Sequence, residues 1–155
     1  MKYFKIFSIG CLILNMYLNS YAQTLNPIYN KVLADSLGAD DYGMKSYVFV
    51  ILKKGKSKIE DKTERSLLIK KHLDNINRLA GENLLLVAGP FGNNEMDYSG
   101  LFILNVKTVE EAQDICNSDP AVEAGIFDVI LIPWYGSAGL GEYLKISGKL
   151  GKYKF

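Results

Sequence analysis

The chain has 155 residues with 18 basic and 17 acidic side chains, so its formal net charge is +1. A charge this close to zero provides no general field that attracts nucleic acid or an anionic membrane surface, and we expect neither as a partner. The length suits a single domain with a sizeable core.

Residues 1–22 have the three-part composition of a secretory signal peptide. Two lysines give a positive start, Ile6 to Leu18 is an apolar run, and Ser20 and Ala22 supply small side chains at the two positions that a signal peptidase recognises. The run is shorter than the roughly 20 residues of a membrane-spanning helix. We therefore predict a cleaved signal, a mature chain from Gln23, and a periplasmic or secreted protein without a stable membrane anchor. The alternative is an uncleaved anchor.

The predicted mature chain keeps one cysteine, Cys116, and has a formal net charge of −1. A single cysteine excludes an internal disulfide, so the fold must be stabilised by its core or by association. Cys116 lies on the inner side of a predicted helix. A small core residue is the favoured interpretation there, ahead of a nucleophile.

The first half of the mature chain divides into an extension, a strand and a long helix. Residues 23–44 are predicted as a helical extension in which Asn26-Pro27 opens a helix and Gly38 ends it. Residues 45–53 are β-branched and aromatic, which predicts a strand. The main helix starts at Asp61 and ends at Gly81, and the only histidine of the chain, His72, lies on its apolar side.

The second half contains three further strands and one capped helix. The apolar segments 84–88, 101–106 and 126–133 are predicted strands. Thr108 and Glu111 form a capping box that opens a helix through Asn117. Residues 136–155 form a C-terminal tail without a clear pattern.

The resulting order, β-α-β-β-α-β, predicts a ferredoxin-like α+β domain over residues 45–135. Its four-stranded antiparallel sheet carries both helices on one face. Two helices cover only one face, yet the strands are apolar on both. We therefore predict a homodimer in which the uncovered faces of two copies pack together.

Few residues have side chains suited to catalysis. One histidine, one mature cysteine and no dense carboxylate cluster provide no metal-ligand set, so we predict no metal and no cofactor. The glycines at 136, 139 and 141 follow a strand but do not match the spacing of a dinucleotide site. What remains is His72 with an acidic partner, because a carboxylate fixes the tautomer of an imidazole and stabilises its protonated form.

Asp119 is the candidate partner, because Asp-Pro at the end of a helix holds the carboxylate in a defined turn. From spacing alone, a lone histidine on a core-facing side is more often a buried structural residue than a catalytic one.

Four motifs in the same order resemble the YciI-like (YCII-related) family. They are His72-Leu73, the LLLVAGPFG segment at 84–92, VEEA at 109–112, and DPAV-x-AG at 119–125. The resemblance covers roughly residues 45–134. It implies a ferredoxin-like fold that dimerises into an α/β-barrel, and a His–Asp pair in a pocket, which maps onto His72 and Asp119.

Related enzymes include a dehydrochlorinase that acts on chlorinated hydroxyhydroquinones, and the fold resembles that of muconolactone isomerase. The signal peptide, the extension and the tail depart from the short members of the family.

From the pair and the resemblance we predict an enzyme of the lyase or isomerase type. His72 exchanges a proton with a small cyclic or aromatic molecule, and Asp119 orients it. The predicted substrate-binding walls are Pro90, Phe91, Trp134 and Tyr135. The alternatives are a non-catalytic module that binds a small ligand or a protein, and a purely structural dimer.

Overall fold

A computed structural model describes residues 25–152 of the chain. The predicted signal peptide and its cleavage point before Gln23 lie outside the described residues, as do residues 153–155. Between residues 25 and 152 no helix is both long enough and apolar enough to cross a membrane.

The described chain alternates between strands of one sheet and helices. The strands are β1 (Met44–Lys54), β2 (Leu85–Pro90), β3 (Tyr98–Leu104) and β4 (Phe127–Ser137). The α-helices are α1 (Lys31–Leu37), α2 (Lys62–Gly81), α3 (Val109–Asn117), α4 (Pro120–Glu123) and α5 (Leu144–Ser147). A 3-10 helix, Ala138–Tyr143, joins β4 to α5.

The strands lie in the order β2-β3-β1-β4, and every neighbouring pair is antiparallel. This confirms the predicted α+β fold with its four-stranded antiparallel sheet. The central strand β1 points Val48, Val50 and Leu52 into a buried cluster with Leu79 of α2 and Cys116 of α3. Both long helices therefore pack on one face of the sheet, which we call the helix face.

Helix α2 forms where its cap and its apolar spacing predict it. The Asp61 carboxylate accepts hydrogen bonds from the backbone N–H groups of Thr63 and Glu64, which otherwise have no partner within the helix. Two side chains of α2 are buried, His72 and Leu79. They lie seven residues apart, two turns along the same side of the helix.

A close contact between two loops fixes the end of α4. The N–H of Gly55 donates to the carbonyl of Ile126, and the N–H of Ser57 donates to that of Gly125. A Cβ atom on Gly55 would lie 2.2 Å from the Gly125 carbonyl oxygen, so only glycine fits at position 55. Gly125 has a φ of 66°, which also favours glycine. The end of α4 is therefore attached to the end of β1.

Helix α1 begins later than the sequence predicts. Asn30, rather than Asn26, caps it by accepting a hydrogen bond from the N–H of Leu33 at 3.0 Å. Asn26 instead accepts from Ile28 in a preceding turn. Both asparagines have the chemistry of a cap, and the sequence alone does not choose between them. The predicted end is confirmed, since Gly38 closes the helix with a φ of 69°.

Strand β4 continues beyond its predicted end at Pro133 and includes Trp134 and Tyr135. It is an edge strand, and proline is tolerated there because one side of such a strand has no ladder partner. The other edge strand, β2, likewise ends in Pro90. Both prolines of the sheet therefore lie on edge strands, Pro133 within its strand and Pro90 at the end of its strand.

The face opposite the helices is partly covered by the chain itself. Tyr47, Leu86 and Ile103 are buried there, and Leu140 and Leu144 from the tail pack against them. Farther along the same face, Ile130 and Ile132 of β4 are 38% and 42% exposed. We call this face the tail face. The tail covers one end of it, and the other end is exposed to solvent.

Candidate functional site

His72 and Asp119 meet on the helix face as a buried hydrogen-bonded pair. The Nδ1 atom of His72 lies 2.9 Å from both carboxylate oxygens of Asp119. His72 is 6% exposed and Asp119 only 2%. The predicted proximity of the two residues is confirmed.

The local sequence explains why Asp119 is held so firmly. It is the N-cap of α4, with Pro120 at the first helical position, and both residue types favour these places. Its Oδ1 atom accepts the backbone N–H groups of Ala121 and Val122 at 2.9 and 3.3 Å. The cap that starts α4 therefore also directs the carboxylate towards α2.

A third side chain, Asn75, completes the cluster. Its Nδ2 atom donates to the Oδ2 atom of Asp119 at 2.9 Å. Both oxygens of the carboxylate thus have partners besides His72. Across residues 25–152, no buried side-chain nitrogen or oxygen lacks a hydrogen-bond partner.

The surroundings favour the ionised form of Asp119. Burial alone would raise the pKa of this carboxyl, but the hydrogen bonds from His72 and Asn75 outweigh that effect and lower the pKa below its ordinary value of 3.8. An ionised carboxylate only accepts hydrogen bonds, so Nδ1 of His72 donates. In the neutral ring the lone pair is then on Nε2.

His72 lines an apolar cavity of about 370 Å³ between α2 and the sheet. The side-chain hydrogen bonds of His72 in the described chain both involve Nδ1, which leaves Nε2 without a protein partner. The apolar walls come from α2 and from all four strands. The residues that line the cavity are Leu52, Ile69, His72, Leu73, Ile76, Asn77, Ala88, Gly89, Pro90, Ser99, Gly100, Phe102 and Phe127.

Two phenylalanines hold the imidazole ring in place. The centroids of Phe102 and Phe127 lie 5.9 and 5.2 Å from that of His72. Rings at this separation make favourable contacts and restrict rotation of the imidazole. The ring is thus held by Phe102 stacked on it, by Phe127 tilted against it, and by Asp119 at Nδ1.

Of the four predicted wall residues, the structure brings only Pro90 to this cavity. Phe91 follows Pro90 but points towards Tyr98, with ring centroids 6.4 Å apart. Trp134 packs on Tyr47 on the tail face, and the Tyr135 hydroxyl donates to Asp40. Trp134 and Tyr135 therefore lie away from the His72–Asp119 pair.

Asn75 was not among the residues predicted for the site. Its spacing from His72 was the available signal, because residues three apart on a helix are neighbours on its surface. Phe102 and Phe127 were recognised only as strand residues. Their contact with His72 depends on strand order, which periodicity alone does not give.

Cys116 is close to this cluster but is not activated. Burial, together with the negative charge of Asp119, raises the pKa of its thiol to about 12. A thiol that stays protonated is a weak nucleophile, which supports the interpretation of Cys116 as a core residue. In the described part of the chain, no group of three or more His, Cys, Asp or Glu residues is placed to hold a metal ion.

The chain is similar to solved structures and matches a family profile. No curated protein sequence matches the chain significantly. Among solved structures, it is similar to 5-chloro-2-hydroxyhydroquinone dehydrochlorinase from Burkholderia phenoliruptrix in complex with 2,5-dihydroxybenzoquinone. The two share 23% sequence identity with a TM-score of 0.41, over 56% of this chain and 92% of the other.

The family profile described as YCII-related domain matches residues 47–135, which is more than half of the chain. The matched segment contains both members of the His72–Asp119 pair, all four strands except the outer ends of β1 and β4, and the helices between them. The chain therefore belongs to the YCII-related domain family.

Proposed function

We propose that this domain is an acid–base enzyme that transfers a proton on a small cyclic or aromatic molecule held in the cavity. The observation that carries the proposal is the orientation of His72. Asp119 occupies Nδ1, and the same imidazole, with Nε2 free to exchange a proton, lines an apolar cavity large enough for a small ligand.

The pair supports a cycle in which His72 accepts a proton and then returns it. Nε2 takes a proton from a C–H or O–H group of the ligand, and the ionised Asp119 stabilises the imidazolium. The imidazolium then donates this proton to another atom of the ligand or to a departing group. The first outcome is an isomerisation and the second an elimination.

The walls of the cavity favour an uncharged ligand. The polar side chains among its lining residues are His72, Asn77 and Ser99, and none of the lining residues is a lysine or an arginine. A carboxylate or phosphate would lose its hydration there without a cation to compensate. We therefore propose neutral ring compounds, such as phenols, hydroquinones or lactones, as the substrate class.

Two linked measurements test the proposal. Neutral ring compounds are screened by thermal shift, and each compound that binds is incubated with the protein in D₂O. Proton NMR then measures the exchange of ligand C–H hydrogens. We expect catalysed exchange by the wild type, at least a hundredfold less with His72→Ala, and no change with Lys70→Ala, whose side chain pairs with Asp74 on the outside of α2.

The results separate the enzyme from a binding module. A ligand that binds without exchange in the wild type would make the domain a non-catalytic receptor. Equal exchange with the wild type and with His72→Ala would mean that His72 does not transfer the proton.

We also propose that two copies associate through the open part of the tail face. Ile130 and Ile132 are neighbouring apolar residues on an edge strand, and Ile51 of β1 lies beside Ile130 in the register. Apolar side chains exposed side by side favour association. Sedimentation equilibrium at micromolar concentration is expected to give twice the monomer mass, and a stable monomer would contradict the proposal.

A further inference from the structure

Asn75 connects the buried pair to the surface of α2. It lies three residues after His72, so the two side chains are neighbours on one side of the helix. Its side-chain amide donates to Asp119 on one side and accepts from Arg78 on the other. Asn75 thus lies between a buried carboxylate and an exposed guanidinium.

Arg78 determines which way the amide of Asn75 points. The Nε and Nη2 atoms of Arg78 donate to Oδ1 of Asn75 at 3.3 and 2.8 Å. A guanidinium has no acceptor, so the amide oxygen must face Arg78 and the amide nitrogen must face Asp119. Arg78 is itself held by Glu82, with Nη1 donating to both carboxylate oxygens at 3.0 and 2.8 Å.

This arrangement restrains Asp119 from the side that α4 leaves open. The backbone of α4 binds Oδ1, while Asn75 binds Oδ2. With both oxygens fixed, the carboxylate stays directed at Nδ1 of His72. Without Asn75, Oδ2 would lose its only partner besides His72, and the plane of the carboxylate would be free to turn about its Cβ–Cγ bond.

We propose that Asn75, oriented by Arg78, is a positioning residue that keeps Asp119 on Nδ1 of His72 and so leaves Nε2 as the nitrogen presented to the cavity. The proposal rests on the proposed function, in which Nε2 exchanges the proton. Asn75 does not line the cavity and acts only through Asp119.

The single histidine of the chain permits a direct test without a ligand. Protein labelled with ¹⁵N-histidine gives one imidazole, whose two nitrogen shifts report the tautomer. The exchange rate of the Nδ1 proton with water reports how well that proton is held. In the wild type we expect one dominant tautomer with the proton on Nδ1.

The decisive variant is Asn75→Ala. We expect the Nδ1 proton to exchange roughly tenfold faster and the second tautomer to become detectable, because a hydrogen bond to a charged group is lost. Asn117→Ala is the matched control, since Asn117 is also a helical asparagine but bonds only to Gln113. It should leave both readings unchanged.

Arg78→Gln keeps the test decisive if Asn75→Ala does not fold. Arg78 is half exposed, so its loss should not disturb the core. The freed amide of Asn75 can then turn over, and we expect proton exchange to rise roughly threefold. Wild-type readings in both Asn75→Ala and Arg78→Gln, or in Arg78→Gln alone where Asn75→Ala does not fold, would overturn the proposal.

Failure of this proposal is distinguishable from failure of the proposed function. If the tautomers are unchanged but ligand exchange is catalysed, Asn75 does not position Asp119, and the proposed enzyme function stands. If the tautomers change but the protein exchanges no ligand hydrogen, Asn75 does position the pair, and the proposed catalysis is contradicted.

Discussion

The sheet is apolar on both faces, but the helix face and the tail face are closed differently. Helices α2 and α3 cover the helix face, where α2 and the N-terminus of α4 bring together a histidine, an asparagine and a carboxylate, all hydrogen-bonded. The tail face has a small apolar cluster under Leu140 and Leu144, and beyond it lie exposed isoleucines.

This difference between the two faces determines where the domain is sensitive to substitution. A buried polar cluster fails as a unit, because removing one member leaves the others without partners. Apolar contacts at a partly covered face are lost in proportion to the area removed from water. Substitutions on the helix face should therefore have large effects that depend on chemistry, and substitutions on the tail face should have smaller effects that depend on burial.

The largest effect is expected for Asp119→Ala. It leaves the imidazole, the Asn75 amide and the N-terminus of α4 without their acceptor, and we expect a loss of about 3–5 kcal/mol in the free energy of unfolding. Urea denaturation measures it. Asp119→Asn keeps an oxygen for the backbone of α4 and should cost clearly less. A loss below about 1 kcal/mol in Asp119→Ala would mean that the cluster does not act as a unit.

The pH dependence of stability should show that the negative charge on Asp119 stabilises the polar cluster on the helix face. The pKa of this carboxyl is lowered in the folded state, so its contribution is fully present above 3.8 and is lost as the pH falls through the folded-state pKa. The difference in unfolding free energy between wild type and Asp119→Asn should thus be largest near pH 7 and shrink below pH 4.

The exposed carboxyls of Asp40, Asp61 and Glu111 also have lowered pKa values. They are the same in both proteins and cancel in the difference between wild type and Asp119→Asn. A difference that stays constant from pH 7 to pH 3 would contradict the assignment to Asp119.

The helix face could be predicted from the sequence because its signals are local and redundant. The 3.6-residue spacing of α2, the caps at Asp61 and Thr108 and the Asp-Pro turn all point to the same fold. The spacing also put His72 on the buried side. Asn75 was missed because a polar residue three positions from His72 looks the same whether it faces water or a buried carboxylate.

The tail face could not be predicted to the same extent, because its closure depends on contacts distant in sequence. Leu140 and Leu144 cover Tyr47, Leu86 and Ile103, and the glycines around them hide any helical pattern. The premise that helices alone cover the sheet was therefore incomplete. The predicted strand end at Pro133 places Trp134 and Tyr135 beyond β4, whereas the structure includes both in the strand.

An intermediate effect is expected for Leu144→Ala on the tail face. Leu144 is partly buried against the apolar cluster, so the loss of its side chain should cost about 1–2 kcal/mol. Leu150→Ala is the matched control, because Leu150 is 74% exposed and should change stability by less than about 0.5 kcal/mol. Thermal unfolding with calorimetry measures both. Equal effects would mean that the tail does not protect the cluster in solution.

The smallest effect on stability is expected for Ile132→Lys, and it tests the open end of the tail face most directly. The side chain of Ile132 is 42% exposed, so a lysine can extend into water, and the free energy of unfolding of the monomer should change by only about 0.5 kcal/mol. Two lysines facing each other across a sheet-to-sheet contact would repel, so the variant should sediment as a monomer. Leu67→Lys, on helix α2 at 53% exposure, is the control and should remain a dimer. If Ile132→Lys also stays dimeric, the copies meet through another surface. If it loses more than about 2 kcal/mol as a monomer, the tail face is closed over Ile132 as well, and the two faces differ less than their exposure indicates.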